Sequence, residues 1–521
     1  MISTSRGRLS KDANLTVHRS LTHNVIEAIQ ALSPSRKSDY LKECFLTKFV
    51  SDETDPPLIR RQRAISKWLA AERNNEATNE RLLTVDGEYN ILPRVTFTRF
   101  VDKCREIIAN VVGELPEDDA FIGSFSGGAS TSRRRGASFP AGKYTGKAHV
   151  TAEAYHWFLS VYKELPGWSN CPTPLEIEIV GGNVLFTVPK TTEIDRCACK
   201  EPDLNMFLQK GLGSTIRRKL RRVGINLNDQ SINRDLARIG SSDGSLATLD
   251  LSAASDSVTY ELVFLLMPFL WAVALDNLRC KFTYIDGEEH RNEMFSSMGN
   301  GFTFELESLL FYALSRTTAY FCGISGVISV YGDDIIVPSA LSQDLISVLR
   351  FFGFETNNSK SFWSGTFRES CGGHYDGGRD ITPFYLRGPI KNLSDLMHIA
   401  NAVRKWSVVP GLDILDPECF SLWEMLRDQV PKRFWGGQDY DSIYQLVTPD
   451  RPMSRLMPRR KSISAGDGGL VLWLNSTHLR QSTMLDVVEA SERVVEHSSC
   501  RLVRADRTVP RLPHQFYQEL V

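Results

Sequence analysis

Residues 327–338 read V-I-S-V-Y-G-D-D-I-I-V-P, two β-branched runs on either side of Tyr331-Gly332-Asp333-Asp334. Val and Ile favour strands, and Gly and Asp favour turns. The stretch therefore predicts a hairpin whose turn carries two adjacent carboxylates. Alone it is no more than a polar turn. Upstream, residues 245–256 read S-L-A-T-L-D-L-S-A-A-S-D. Here a short apolar strand ends in Asp250, and Asp256 follows six residues later. Asp256 reads equally well as the cap of the apolar helix after it. Asp250 is harder to dismiss, because a carboxylate closing a buried-type strand is costly unless something positive meets it.

Asp250, Asp333 and Asp334 can converge at adjacent strand ends of one sheet. Crowded carboxylates repel, and a divalent cation relieves the repulsion. Hard oxygen ligands that leave open positions for phosphate and water suit Mg²⁺. Two such ions about 4 Å apart can activate a hydroxyl and stabilise a leaving oxyanion at phosphorus. Between the two segments lies S-S-M-G-N-G-F-T-F-E-L-E-S, residues 296–308. Gly299 and Gly301 make a pliable loop, and a helix opens with Thr303 in its first turn. Backbone donors there can approach a sugar or phosphate closely.

The rest of the chain sets the frame. Its 521 residues suggest about three domains at roughly 150 residues each. The 42% hydrophobic and 24% charged fractions exclude a disordered chain, a collagen-like fibre and a small disulfide scaffold. The first residues, MISTSRGRLSKDANL, lack the apolar core of a secretory signal. The longest apolar run, Leu262 to Leu275, is broken by Pro268 and falls short of the roughly 18 residues that span a bilayer. It reads as a buried helix, with no membrane partner. Ten cysteines are scattered without CxxC spacing, and Cys197-x-Cys199 has no second pair, so free thiols are expected. HExxH, Walker A and dinucleotide fingerprints are absent.

A net charge of −1 seems to argue against a nucleic-acid partner until it is resolved by segment. Residues 121–150 hold five basic and no acidic side chains, and residues 181–222 hold nine basic and four acidic. Residues 241–340 hold four basic and thirteen acidic. An acidic centre with basic walls suits metal and phosphate together. Coarser signals surround it. Residues 1–110 look mostly helical. Residues 121–147, rich in Gly and Ser, read as an exposed, mobile loop. Strands at Leu175–Val180 and Val184–Val188 flank a Gly181-Gly182-Asn183 turn. Helical spacing runs from Asn205 to Val223 and returns after Pro389, and Arg451 to Lys461 is basic.

In order and spacing, the segments FTVPKTTEIDRCACKEPDLNMFLQKG, GINLNDQSIN, DGSLATLDLSAASDSV, SMGNGFTFELESLLF, YGDDIIVPS and FRESCGGHY resemble the RNA-directed RNA polymerases. Specifically, they resemble the replicase catalytic (beta) subunit of the positive-strand RNA bacteriophages, the leviviruses. It is strongest over roughly residues 175–390. It implies an α+β fold, the polymerase right hand. The implied layout is an N-terminal, mostly helical part of the fingers at 1–110, fingers at 111–244, palm at 245–388, and thumb with the C-terminal region at 389–521.

The resemblance also implies roles. Asp250, Asp333 and Asp334 would bind two Mg²⁺, with Mn²⁺ a substitute. Asp256 would help recognise the ribose 2′-hydroxyl. Gly299, Asn300 and Thr303 would meet the template and the nascent base pair. Lys360 would protonate pyrophosphate, and Phe367–Gly372 would form the primer grip. Glu307 stands where many RNA polymerases carry asparagine, which leaves the second 2′-hydroxyl contact open. Lys190, Arg196 and Lys200 match the fingers motif over the triphosphate, a chemistry that Arg and Lys suit. As residues alone they read equally as a solvated loop.

Arg133, Arg134 and Arg135, with Arg217, Arg218, Arg221 and Arg222, are either solvated faces or phosphate contacts for RNA. Ser124-x-Ser126-Gly127 faintly resembles a template-entry motif. Implied partners are RNA template and product, ribonucleoside triphosphates, host elongation factors Tu and Ts and a ribosomal RNA-binding protein. The implied location is the cytoplasm of the infected bacterium. Two rivals stand beside this reading: a reverse transcriptase-like polymerase, which also uses a Y-x-D-D hairpin, and a non-catalytic RNA-binding protein.

Overall fold

A computed structural model describes residues 20–50, 55–169, 174–408 and 416–448. Its centre is a three-stranded antiparallel sheet ordered Ser329–Tyr331, Asp334–Pro338, Leu246–Leu249. Ile335 pairs with Leu249, and Val337 with Ala247. Side chains alternate across a strand, so the sheet has two distinct faces. Ala247, Leu249, Ile335 and Val337 enter the main core with Leu306, Leu309 and Phe311 of the helix Thr303–Cys322. Leu246 and Ile336 face the other way, onto Ala237 of the helix Ser231–Asp243 and onto Tyr375. Both faces are covered, which is why these strands read as unbroken apolar runs.

A second sheet runs Glu288–Arg291, Phe282–Ile285, Asn183–Pro189, Asp195–Lys200. The long helix Pro57–Thr84 packs Ala64 and Trp68 against its Leu185, Cys197 and Cys199. The helices Ser20–Gln30 and Arg36–Cys44 pack elsewhere. They share a separate core with Leu393–Ser407 and Pro417–Asp428 from the far end of the chain. The 1–110 region is mostly helical where described, but it divides among three cores.

Three local expectations need correction. Strands form at Leu175–Ile179 and Asn183–Pro189, but not as a hairpin. The first pairs in parallel with Gly146–Val150, and the second pairs antiparallel with Asp195–Lys200. The chain crosses between sheets at Gly182, where a Cβ would overlap the Phe282 carbonyl. Residues 121–147 are anchored, not loose. Phe121, Phe125 and Tyr144 are buried against Trp157, Trp168 and Phe207. Lys143 is 3% exposed and donates to the carbonyls of Ser126 and Gly128. Aromatic anchors hidden among Gly and Ser defeat a composition-based reading. The apolar run does split at Pro268, into Tyr260–Leu266 and Phe269–Leu278. Phe269 and Leu270, however, stand largely exposed at the start of the second helix.

The eight described cysteines are free thiols. Among the described residues no helix is long and apolar enough to cross a membrane. The basic stretch 451–461 lies outside the described residues.

Candidate active site

The central sheet brings the carboxylates together. Asp250 follows Leu249 directly, and Leu249 pairs with Ile335, so Asp250 lies beside Asp334. Tyr331 pairs with Asp334 across a two-residue turn of Gly332 and Asp333. Strand alternation sends Asp334 to the same face as Ile336, and Asp250 to the face of Leu246 and Thr248, which is the same one. Gly332 takes φ +62°, and a Cβ there would overlap the Phe304 ring.

Each carboxylate sits differently. Asp333 is exposed at the tip of the turn. Asp334 is pushed up to about 6, first by burial and then by Asp333, while Ser370 Oγ donates to its Oδ1 at 3.1 Å. Asp250 is raised by burial and by Asp333, against the opposing pull of Lys360 and Asn357. Asn357 Nδ2 donates to Asp250 Oδ2 at 2.9 Å, and the Asn357 amide donates to the Asp250 carbonyl at 2.8 Å. Ser361 Oγ accepts from the Asp250 amide at 3.0 Å. These holders escaped the sequence reading, although the Asn pair ahead of Lys360 was a visible signal. No three acidic, His or Cys side chains among the described residues are already gathered as a coordination shell. The donor chemistry nonetheless fits hard divalent cations: three oxygen-bearing side chains within electrostatic reach, two of them raised by burial and then by Asp333.

Asp256 is not the cap of the following helix. Thr259 is, with its side chain accepting from the Leu262 amide. Asp256 sits in a single 3₁₀ turn, Ser255–Ser257, where it accepts from the Met298 amide. Burial lifts it to about 6, while Arg196 and Lys190 pull it down. Lys190 also pulls on Asp250. The two cations thus face the carboxylates electrostatically, while Lys200 Nζ lies over the Phe186 ring at 5.5 Å.

Gly299, at φ +119°, packs so tightly on Cys199 that a Cβ would overlap its carbonyl oxygen. Cys199 in turn donates its amide to the Met298 carbonyl at 2.8 Å, locking the loop to the second sheet. Gly299→Ala should cost about 3 kcal/mol and release this loop. A denaturant midpoint equal to wild type would contradict it. Asn300 Oδ1 accepts from the Phe302 amide, and its Nδ2 is buried with no protein partner. Thr303 Oγ1 lies 2.8 Å from Ser296 Oγ, inside the protein.

Glu307 lies beneath the Asp333 turn and accepts from Ser255 Oγ at 2.7 Å. Burial pushes its carboxyl up to about 8. The folded state then holds a proton that the unfolded chain has released above about 4.5. Its contribution to stability is complete at low pH and is lost as pH rises through 8. Glu307→Gln should flatten the fall in metal-free stability between pH 5 and 9 (a window set by the same shift). Denaturation midpoints across that range check it, and an unaltered slope would remove the assignment.

The arginines separate. Arg217 is committed to Glu305, at 2.9 Å from its Nε, and to the Leu227 carbonyl. Arg218 donates to Thr215 Oγ1, and Arg221 and Arg222 are exposed. Arg133 donates to the carbonyls of Thr145 and Lys147, whereas Arg134 and Arg135 are exposed. Ser124 Oγ receives Lys210 Nζ at 2.8 Å. Phe367–Ser370 and Gly373–Asp376 form a hairpin, with Cys371 and Gly372 both at positive φ. Behind it, His374 Nδ1 and Tyr40 Oη are 2.7 Å apart, and Glu369 is lifted to about 7 by burial.

A carboxylate-bearing hairpin in an antiparallel sheet, faced by cations on a neighbouring sheet, defines a class: the palm of a template-directed nucleotidyltransferase. Comparison with known proteins sharpens it. A family model described as "RNA replicase, beta-chain" matches residues 4–471. The RNA-directed RNA polymerase beta chain of Enterobacteria phage fr is 41% identical over 453 residues, 85% of this chain and 81% of that one. That of Escherichia phage MS2 is 40% identical, covering 86% and 82%. The chain belongs to the RNA replicase beta-chain family. Solved structures align only distantly. The RNA-dependent RNA polymerase of a human picobirnavirus is 11% identical over 79% of this chain and 90% of that chain, with a TM-score of 0.36, too low to argue from.

Proposed function

We propose that this RNA-directed RNA polymerase of the RNA phages extends an RNA 3′ end by two-metal nucleotidyl transfer on an RNA template. The observation that carries the reading is the register that sets Asp250 beside Asp334, with Asp333 in the adjoining turn. Asp250, Asp333 and Asp334 would hold two Mg²⁺, with Mn²⁺ a substitute. Bound there, the ions would lower the pKa of the attacking hydroxyl and offset charge on the triphosphate.

The chain's own groups do the rest. Asn357 and Ser361 fix Asp250. Lys190, Arg196 and Lys200 receive the triphosphate, Asp256 reads the ribose 2′-hydroxyl, and Gly299, Asn300 and Thr303 line the nascent pair. Lys360 gives a proton to the departing pyrophosphate. Exposed Arg134, Arg135, Arg218, Arg221 and Arg222 are available to phosphates of the RNA, and the inward commitments of Arg133 and Arg217 make them weaker choices.

The layout is fingers at 111–244, palm at 245–388 and thumb from 389. Residues 57–110 pack on both the fingers and the palm, while residues 20–50 join the thumb core. Elongation factors Tu and Ts and a ribosomal RNA-binding protein complete the complex in the cytoplasm of the infected bacterium. Purified replicase offered a template with labelled rNTPs or dNTPs, with and without chelator, tests the activity. Metal-dependent incorporation of rNTPs alone is expected. Incorporation of dNTPs alone favours the reverse transcriptase reading, and none at all the RNA-binding one.

A further inference from the structure

The helix Pro57–Thr84 lies outside every motif that reads as chemistry, yet its inner face is polar. Glu72 is 3% exposed, and Asn75 and Thr78 are fully buried. Buried polar side chains persist when they are paired, so their partners reveal their task. Glu72 accepts from the main-chain amides of Glu293 and Met294 at 2.8 and 3.0 Å, and its Oε2 lies 2.9 Å from His290 Nε2. Its Oε1 also accepts from Asn75 Nδ2 at 3.0 Å. Asn75 Nδ2 in turn donates to the main-chain carbonyl of Asp256 at 2.7 Å. One turn further on, Asn79 Oδ1 accepts from the Glu261 amide, and its Nδ2 donates to the Glu293 carbonyl. The helix therefore grips the 256–261 segment at two points.

That segment needs a grip. It opens on a single 3₁₀ turn, Ser255–Ser257, that follows Ala253 at φ +54°, a conformation L-residues rarely adopt. The Asp256 carboxyl is tied on its other side to the Met298 amide. We propose that Asn75 is a positioning residue for sugar discrimination: it fixes the Asp256 main chain from behind and so holds that carboxyl where a ribose 2′-hydroxyl must arrive. The inference rests on the reading of Asp256 as the sugar-sensing group. Selection between hydroxyl and hydrogen demands a polar partner held in place, whereas the chemistry at phosphorus depends on other carboxylates.

The test compares single-nucleotide addition by the full-length chain, using CTP and 2′-deoxy-CTP on one template. Asn75→Ala should lower the ribo-to-deoxy ratio of kcat/KM about ten-fold, the worth of one buried hydrogen bond, while CTP addition falls far less. Melting temperature is measured in parallel. If the alanine variant does not fold, Asn75→Ser, polar but shorter, takes its place in the same comparison. An unchanged ratio in whichever variant folds, with both nucleotides slowed alike, overturns the proposal and leaves Asn75 a purely structural residue. Asp256→Ala serves as the reference. If it collapses the ratio while the Asn75 variants do not, only this inference fails. If it too leaves the ratio unchanged, the reading of Asp256 fails and this inference falls with it.

Discussion

Asp333→Asn should abolish nucleotide addition, slowing it at least about 10³-fold, while the protein folds as before. Asp333 is exposed at the tip of a turn, and asparagine serves a turn as well as aspartate does. The substitution removes no buried contact. It removes one of the charges that would draw divalent cations to the hairpin. It also relieves Asp250 and Asp334, both of which are raised by Asp333, so both should titrate lower in the variant. Single-turnover incorporation beside a thermal melt separates the two effects. A folded variant that polymerises at near wild-type rate would remove Asp333 from the site.

Lys360→Leu should slow addition about 10²–10³-fold without ending it, the range of a lost general acid. Lys360 is exposed, so leucine should be tolerated. The side chain lies in the field of the site: it pulls Asp250 and Glu369 down, and it helps depress the buried His374 to about 4. A charge alone could account for that field, so the decisive variant is Lys360→Arg. Arginine keeps the charge but does not release its proton. Slow addition by both variants supports proton donation. Full recovery in the arginine variant would leave Lys360 an electrostatic role only.

The centre of this fold was legible because its signals are local. A β-branched run, a Gly-Asp turn and a strand ending in Asp250 state both the hairpin and its chemistry. The helices Thr303–Cys322 and Asp203–Arg222 follow from periodicity to within a few residues. What escaped was non-local. Asn75, Asn357 and Ser370 act by hydrogen bonds to residues 181, 107 and 36 positions away, and apart from the Asn pair ahead of Lys360 nothing in their own neighbourhood marks them. The cap reading of Asp256 failed for a similar reason. Ser-Asp-Ser offers three suitable side chains, but the helix opens later, at Tyr260 with Thr259 as its cap, and Asp256 is held by Met298 and Asn75 instead. The 121–147 segment misled because few anchoring aromatics are outnumbered by small polar residues.

The shared core of the first and last described helices sets an order of events during synthesis. Leu21, Val25, Ile29 and Leu41 emerge from the ribosome early, yet their partners Leu396, Met397, Trp423 and Leu426 come some 370 residues later. At roughly 5–20 residues per second, the N-terminal apolar faces wait tens of seconds for cover. The central sheet can close on itself in that interval, but the clasp between the first and last described helices waits for residues 393–428. A nascent or truncated polymerase therefore carries a sticky, unfinished seam, and only a chain translated past the helix Pro417–Asp428 can seal it.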